Sequence, residues 1–191
     1  MLIIKLKGGV TLNIENLKRY THKNLGLALE NEVNLSNKLY LLNNIAVIYK
    51  KPTPIQIVKV NYAKRSQALI NEAYFKLPST TDYNGVYKGY YLDFDCKEVS
   101  HQRYFSLSNL KDHQYEHLKA INTHHGIAFI ILHIKSFDRY FILKFDFIEK
   151  FKVNFLLKRG YNYIPFDAII AECREIFFNN CHLDYLDSLD L

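Results

Sequence analysis

The sequence predicts an α/β domain, a mixed central sheet flanked by helices. Three observations carry this. Segments with helical spacing of apolar residues alternate along the chain with strand-like runs. The run "GIAFIILHI" (126–134) is almost wholly apolar rather than alternating, as a strand covered on both faces must be. At 191 residues, 49% hydrophobic and 23% charged, the chain can bury one sizeable core and is not a disordered polymer.

In chain order, residues 1–25 read as a basic arm with a short strand near its start. Leu29, Val33, Leu39 and Leu42 recur at helical spacing within 27–42, and Asn43 with Asn44 ends that helix. "IAVIY" (45–49) reads as a buried strand. "KKPTP" (50–54) must leave the sheet, because Pro52 and Pro54 have no amide to donate. "IQIVKV" (55–60) is strand-like, and 62–75 is a weak helix or an extended excursion. Asn84 with Gly85 is a strong short hairpin signal, and "YYLDFDCKE" (90–98) is the return strand. Residues 106–122 read as one Ser-capped helix. "GIAFIILHI" and "RYFILKF" (139–145) are strands. "DFIEKF" (146–151) and "FDAIIAECREIFF" (166–178) read as helices.

The net charge is +6, and its placement says more than its size. From Lys38 to Lys76 stand seven basic residues (Lys38, Lys50, Lys51, Lys59, Lys64, Arg65, Lys76) against one acid, Glu72. A basic stretch beside carboxylates suits a polyanion handled with metal help. A solvated lysine face gives the same count. Cys96, Cys173 and Cys181 make no CxxC pair and leave one over, which points away from a disulfide framework and toward a reducing cytoplasm. No run approaches the ~18 apolar residues of a membrane span. The apolar part of "MLIIKLKGGV" is too short for a signal peptide.

The stretch "DYNGVYKGYYLDFDCKE" (82–98) crowds three aspartates near a lysine. Alternate strand residues share a face, so Asp93, Asp95 and Lys97 point one way and Leu92, Phe94 and Cys96 the other. Thr80 and Asp82 share a face of the partner strand by the same rule. An aspartate, twelve residues, then Asp-x-Lys is a pattern of metal-dependent phosphodiester hydrolysis. A hard cation between Asp82 and Asp95 would neutralise phosphate charge, and Lys97 would stand by the transition state. Thr80 could add an oxygen. Alone the pattern is weak, since lysine-rich chains make Asp-x-Lys often. Asp93 reads as structural support, Cys96 as inert packing, and His113 with His117 as a surface pair rather than a zinc site.

Longer stretches say more. "KKPTPIQIV", "KRS" and "STTDYNG", flanked by "GLALENEVN" and "DHQYEHLKAINTHHGIAFIILHI", resemble the RecU family, the Holliday junction resolvases of Gram-positive bacteria and their wall-less relatives. The similarity runs from about Gly26 onward. It implies a restriction-endonuclease-like nuclease domain over 26–191, with a protruding stalk inserted at about 50–78. It implies catalytic roles for Asp82, Asp95, Lys97 and Glu30, and metal ligation by Asp82, Asp95, Thr80 and Gln114. It implies Mg²⁺ as cofactor, a homodimer, and four-way junction DNA as partner, nicked on two strands of like polarity. Lys50, Lys51, Lys64 and Arg65 would then meet DNA phosphates on the stalk. Recombinase or branch-migration proteins are further implied partners.

Two departures stand out. The second acid is usually a glutamate in this family and is Asp95 here. The carboxylate is drawn back by one bond, ~1.5 Å, which makes Mn²⁺ an alternative to Mg²⁺. The family's Arg-Gly before the first helix is Leu25 and Gly26. Two rivals follow: a junction-binding protein with weakened catalysis, and a duplex-cutting nuclease on the same core.

Overall fold

The structure is a computed structural model and describes residues 3–5, 11–13, 28–61, 69–75, 80–100 and 103–191. β1 (Ile3–Lys5) and β2 (Thr11–Asn13) pair antiparallel. α1 (Ala28–Leu42) leads into β3 (Ala46–Lys50). β4 (Ile55–Asn61) and β5 (Leu69–Phe75) follow, then β6 (Tyr83–Tyr87), β7 (Tyr90–Val99) and the short β8 (Tyr104–Ser106). α2 (Asp112–Thr123), β9 (Ile127–Ile134), β10 (Arg139–Lys144) and α3 (Phe145–Leu156) form the middle of the chain. β11 (Tyr163–Pro165), α4 (Phe166–Glu172), β12 (Arg174–Ile176), β13 (Phe178–Asn179) and β14 (His182–Leu183) complete it.

Six strands make the central sheet, in the order β12-β10-β9-β7-β6-β3. Only β7 and β9 run parallel, so the sheet is mixed, as expected. One face carries α1 and the C-terminal residues Leu183, Tyr185, Leu186 and Leu189, packed on Phe94, Phe129, Ile131 and Ile142. The other face carries α2, α3 and α4, through Leu118, Ile148 and Ile169, packed on Ile130, Leu132 and Leu143. This is the helix-flanked mixed sheet of a restriction-endonuclease-like core. The C-terminal segment from Leu183 to Leu189 is therefore part of the core. Ser36 Oγ donates to the Leu183 carbonyl at 2.8 Å, and Tyr40 OH to Asp184 Oδ1 at 2.8 Å.

β4 and β5 pair with each other and with no other described strand. Ile55, Ile57, Val58, Ile70, Tyr74 and Phe75 are exposed, so neither face of this ribbon is covered at these side chains. It occupies part of the segment expected to form a stalk. No described helix is long and apolar enough to cross a membrane.

Several local readings need correction. Asn84 and Gly85 are not the hairpin turn but lie inside β6. The turn is Lys88 and Gly89, both at positive φ (50° and 83°), as a tight two-residue hairpin requires. Gly85 serves close approach instead: a Cβ there would stand 2.2 Å from the Val47 carbonyl oxygen on β3. "IAVIY" is not buried on both faces. β3 is the sheet edge, with Ala46 and Ile48 buried and Val47 and Tyr49 exposed. The helix expected at 106–122 is broken. Ser106 caps a 3-10 turn, Leu107–Asn109, and the extended residues Leu110 and Lys111 separate it from α2. The helix expected over 166–178 stops at Glu172. β12 pairs with β10 there, and the Arg139 guanidinium grips Glu175 at 2.6 and 2.7 Å, so the sheet edge outweighs local helix propensity. Of 62–75, residues 69–75 are strand rather than helix, and the rest lies outside the described residues.

Candidate active site

β6 starts at Tyr83, opposite Phe94 on β7. Upstream of Tyr83 the chain parts from β7 and the ladder ends. The amide of Cys96 would be left without a partner, and Asp82 Oδ2 takes it at 3.0 Å. Thr80 and Asp82 are thus not strand residues as expected; they precede the strand. The Asp82 carboxyl replaces the missing ladder bond and comes to lie against Asp95.

Asp95 is fully buried. Gln114 Nε2, from the first turn of α2, donates to both its oxygens at 3.3 and 3.2 Å, and the Lys97 ammonium forms an ion pair with Oδ2. Gln114 Oε1 accepts from Lys97 Nζ at 3.3 Å and from the Lys111 amide at 3.2 Å, which fixes the amide's orientation. Burial pushes the Asp95 carboxyl up to about 7; contact with Asp82 adds to this and Lys97 opposes it. Two carboxyls that crowd enough to hold a proton near neutrality are a place where a divalent cation is stabilising. Among the described residues, no group of three His, Cys, Asp or Glu side chains stands ready to hold a metal. Two carboxylates with neighbouring neutral oxygens fit Mg²⁺ or Mn²⁺, which keep waters and take the rest from a phosphate. They do not fit zinc, which takes nitrogen and sulfur readily.

Asp93 is also fully buried, on the same face of β7. Its carboxylate accepts from Thr81 Oγ1, from Tyr91 OH at 3.0 Å and from Lys51 Nζ at 2.7 Å, and lies 3.1 Å from His117 Nε2. Lys51, expected among the phosphate contacts, also donates to Thr80 Oγ1 at 3.2 Å. Lys50 is ion-paired with Glu30. Glu30 lines a cleft of about 420 Å³ with Cys96, Lys97, Glu98 and Lys135. The Cys96 thiol is pushed well above its usual value by burial and by Asp82, Asp95 and Glu30, so it stays protonated and unreactive.

The expected residues Asp82, Asp95, Lys97 and Gln114 therefore form one constellation. Thr80 and Glu30 border it, each held by a lysine. Lys64 and Arg65 lie outside the described residues. Sequence reasoning passed over Thr81 and Tyr91 and read His117 as half of a surface pair, whereas His117 Nε2 reaches in to the buried Asp93 carboxylate. One signal for His117 was present: it stands three residues after Gln114, on the same helix face.

A second polar cluster lies near the far end of β7. His133 Nδ1 is 3.3 Å from Glu98 and its Nε2 3.0 Å from Asp138. Tyr140 OH donates to Glu32 Oε1 at 3.4 Å, while Glu32 Oε2 is buried without a hydrogen-bond partner. Burial raises the Glu32 pKa, against the Tyr140 hydrogen bond and His133. A raised carboxyl binds its proton more tightly when folded, so its contribution is full at low pH and is lost as pH rises through the folded pKa. Glu32→Gln is expected to melt higher than the wild type at pH 8, with the gap closing toward pH 4. A thermal melt series across that range checks it, and a gap independent of pH would refute it.

A family model described as Recombination protein U matches residues 24–191. Relatives named Holliday junction resolvase RecU, from Bacillus mycoides, Bacillus cereus and Bacillus anthracis, are each 53% identical over 127 residues. That alignment covers 66% of this chain and 64% of each relative, slightly less than two thirds of their length. The family model takes in the acid pair, the lysine, the glutamine and the whole central sheet, and on that ground the chain belongs to the Recombination protein U (RecU) family.

Proposed function

We propose that this protein is a structure-specific endodeoxyribonuclease that resolves Holliday junctions in DNA recombination and repair. It works by metal-dependent phosphodiester hydrolysis and nicks two strands of like polarity. One observation carries the reading: Asp82 and Asp95 meet at the mouth of β6 and β7, with Lys97 and Gln114 on Asp95. The relatives' printed name supports it.

Asp82 and Asp95 would hold the cation, with Thr80 Oγ1 as a further oxygen and Gln114 Oε1 as another once it exchanges its Lys97 bond for the metal. When bound, a divalent cation neutralises phosphate oxygens and acidifies a coordinated water. The chain supplies the rest. Gln114 holds the Asp95 carboxylate in one orientation and steadies Lys97 beside it. Lys97 brings an ammonium to the pentavalent phosphate, where negative charge grows. Glu30, which lines the cleft with Lys97, holds the Lys50 ammonium by an ion pair. Paired nicks need two such sites, hence a homodimer, and the free thiols of Cys96, Cys173 and Cys181 suit the reducing cytoplasm. Lys50, Lys64 and Arg65 are proposed to meet junction phosphates.

The test is cleavage of a labelled four-way junction beside a linear duplex of the same sequence, in Mg²⁺ and separately in Mn²⁺. Nicks on the junction alone are expected, faster in Mn²⁺ because of the shorter Asp95. Tight junction binding without nicks in either metal would sink the reading. Replacing Lys64 and Arg65 together by Ala should narrow the preference for junction over duplex by about tenfold, since each lost phosphate contact weakens electrostatic binding. A gel-shift competition measures that preference, and an unchanged ratio would remove these residues from the interface.

A further inference from the structure

Lys51 stands at the root of the β4–β5 ribbon, between the end of β3 and Pro52. Its amide donates to the Asp82 carbonyl at 2.7 Å, extending the β3–β6 ladder one step past Lys50 and Tyr83. Its ammonium turns inward. Thr81 Oγ1 is at 2.6 Å, Asp93 Oδ2 at 2.7 Å, Thr80 Oγ1 at 3.2 Å and His117 Nε2 at 3.3 Å. An ammonium has three protons, so the oxygens of Thr81, Asp93 and Thr80 already take all of them, whichever tautomer His117 adopts. Its side chain is 16% exposed and that of Asp93 0%. A lysine so placed has little to offer a DNA phosphate.

Asp93 is the hub of this arrangement. It joins Lys51 at the ribbon root, Thr81 beside Asp82, and His117 on α2. His117 lies one turn beyond Gln114, which grips Asp95. His117 Nε2 either accepts from Lys51 or donates to Asp93; each choice ties α2 to the same hub. Both metal-side carboxylates are thus braced from Asp93, one through Lys51 and Thr81, the other through α2.

We propose that Lys51 is a positioning residue: anchored on buried Asp93, it sets where Asp82 stands against Asp95 and makes the ribbon root and the acid pair one rigid unit. Its consequence for cleavage rests on the nuclease reading above; the positioning does not. The rival role is a direct phosphate contact.

Lys51→Met alone would strand a buried charge, so the test pairs it with Asp93→Asn. Three quantities are compared with the wild type: hydrogen exchange at the Cys96 amide, Mn²⁺ binding followed by paramagnetic resonance, and single-turnover cleavage at saturating junction together with junction affinity. The Cys96 amide, held by Asp82, is expected to exchange about tenfold faster relative to Leu92, deeper in the β6–β7 ladder. Mn²⁺ binding should weaken. Cleavage should fall about 100-fold, as a shift of order 1 Å in reacting groups produces, with little change in junction affinity. Unchanged Cys96 exchange overturns the proposal, and so does weaker junction affinity with intact saturating cleavage, the mark of a phosphate contact. If the wild type neither cleaves nor binds Mn²⁺, the nuclease reading fails and the Cys96 amide alone decides this one. Should the double variant not fold, Lys51→Arg is read the same way, because the larger planar group cannot reproduce the ammonium's compact reach.

Discussion

Asp82→Ala is expected to abolish strand cleavage while leaving junction binding in place. The substitution removes one of two carboxylates at the proposed metal position, which should cost several kcal/mol of transition-state stabilisation, or about 10³-fold in rate. It also leaves the Cys96 amide without its acceptor at the open end of the ladder. Asp95, relieved of its crowded neighbour, should titrate lower and keep its bonds to Lys97 and Gln114. The overall fold should survive, because Asp82 is only half-buried and lies outside the strand. DNA binding should hold or improve, since a negative charge facing phosphates is gone. Single-turnover cleavage with a parallel gel shift reads both quantities. An Asp82→Ala protein that cuts at the wild-type rate would sink the site assignment.

Phe94→Ala is expected to cost about 3–5 kcal/mol of folding stability, the usual range for emptying a buried aromatic site. Phe94 is wholly buried and stacks between Tyr83 and Phe129, with ring centroids at 5.1 and 4.6 Å. Tyr185, from the C-terminal segment, closes the group at 5.3 Å. The rings come from β6, β7, β9 and the chain end, so the cavity cannot collapse without moving several elements at once. Phe94 also separates Asp93 from Asp95 along β7, and its loss loosens the floor beneath both acids. Urea denaturation with the free energy extrapolated to water measures the cost. A loss under about 1 kcal/mol would mean that this aromatic stack does not hold the sheet together.

How far the sequence alone could be read depends on the kind of signal each element carries. "GIAFIILHI" announced a central strand because a strand covered on both faces has no polar side to show, and β9 lies between β7 and β10. The two-residue parity of a strand placed Asp93, Asp95 and Lys97 on one face, because that period does not depend on tertiary context. The hairpin turn was misplaced because Asn-Gly is a local preference, and Gly85 answers to a distant neighbour, the Val47 carbonyl. The same applies to "REI" at 174–176: local propensity favours continuing α4, while the unpaired edge of β10 draws it into the sheet. The two acids and the lysine could be named in advance from their spacing, and the glutamine from the family resemblance alone. The Asp93 hub could not. Its partners Lys51, Thr81, Tyr91 and His117 come together only because the ends of β3, β6 and β7 meet the middle of α2, and no linear pattern joins them.

On the proposed function, two copies of the Asp82–Asp95–Lys97 constellation cut paired strands at a four-way junction. A supercoiled plasmid that extrudes a cruciform tests it most directly. Two nicks of like polarity within one binding event linearise the circle, whereas a single nick only relaxes it. Linear product is expected in Mg²⁺ or Mn²⁺ from the wild-type protein, none from Asp82→Ala, and none from a plasmid without the inverted repeat. Relaxed circles alone, or equal cutting of the plasmid without the cruciform, would contradict it.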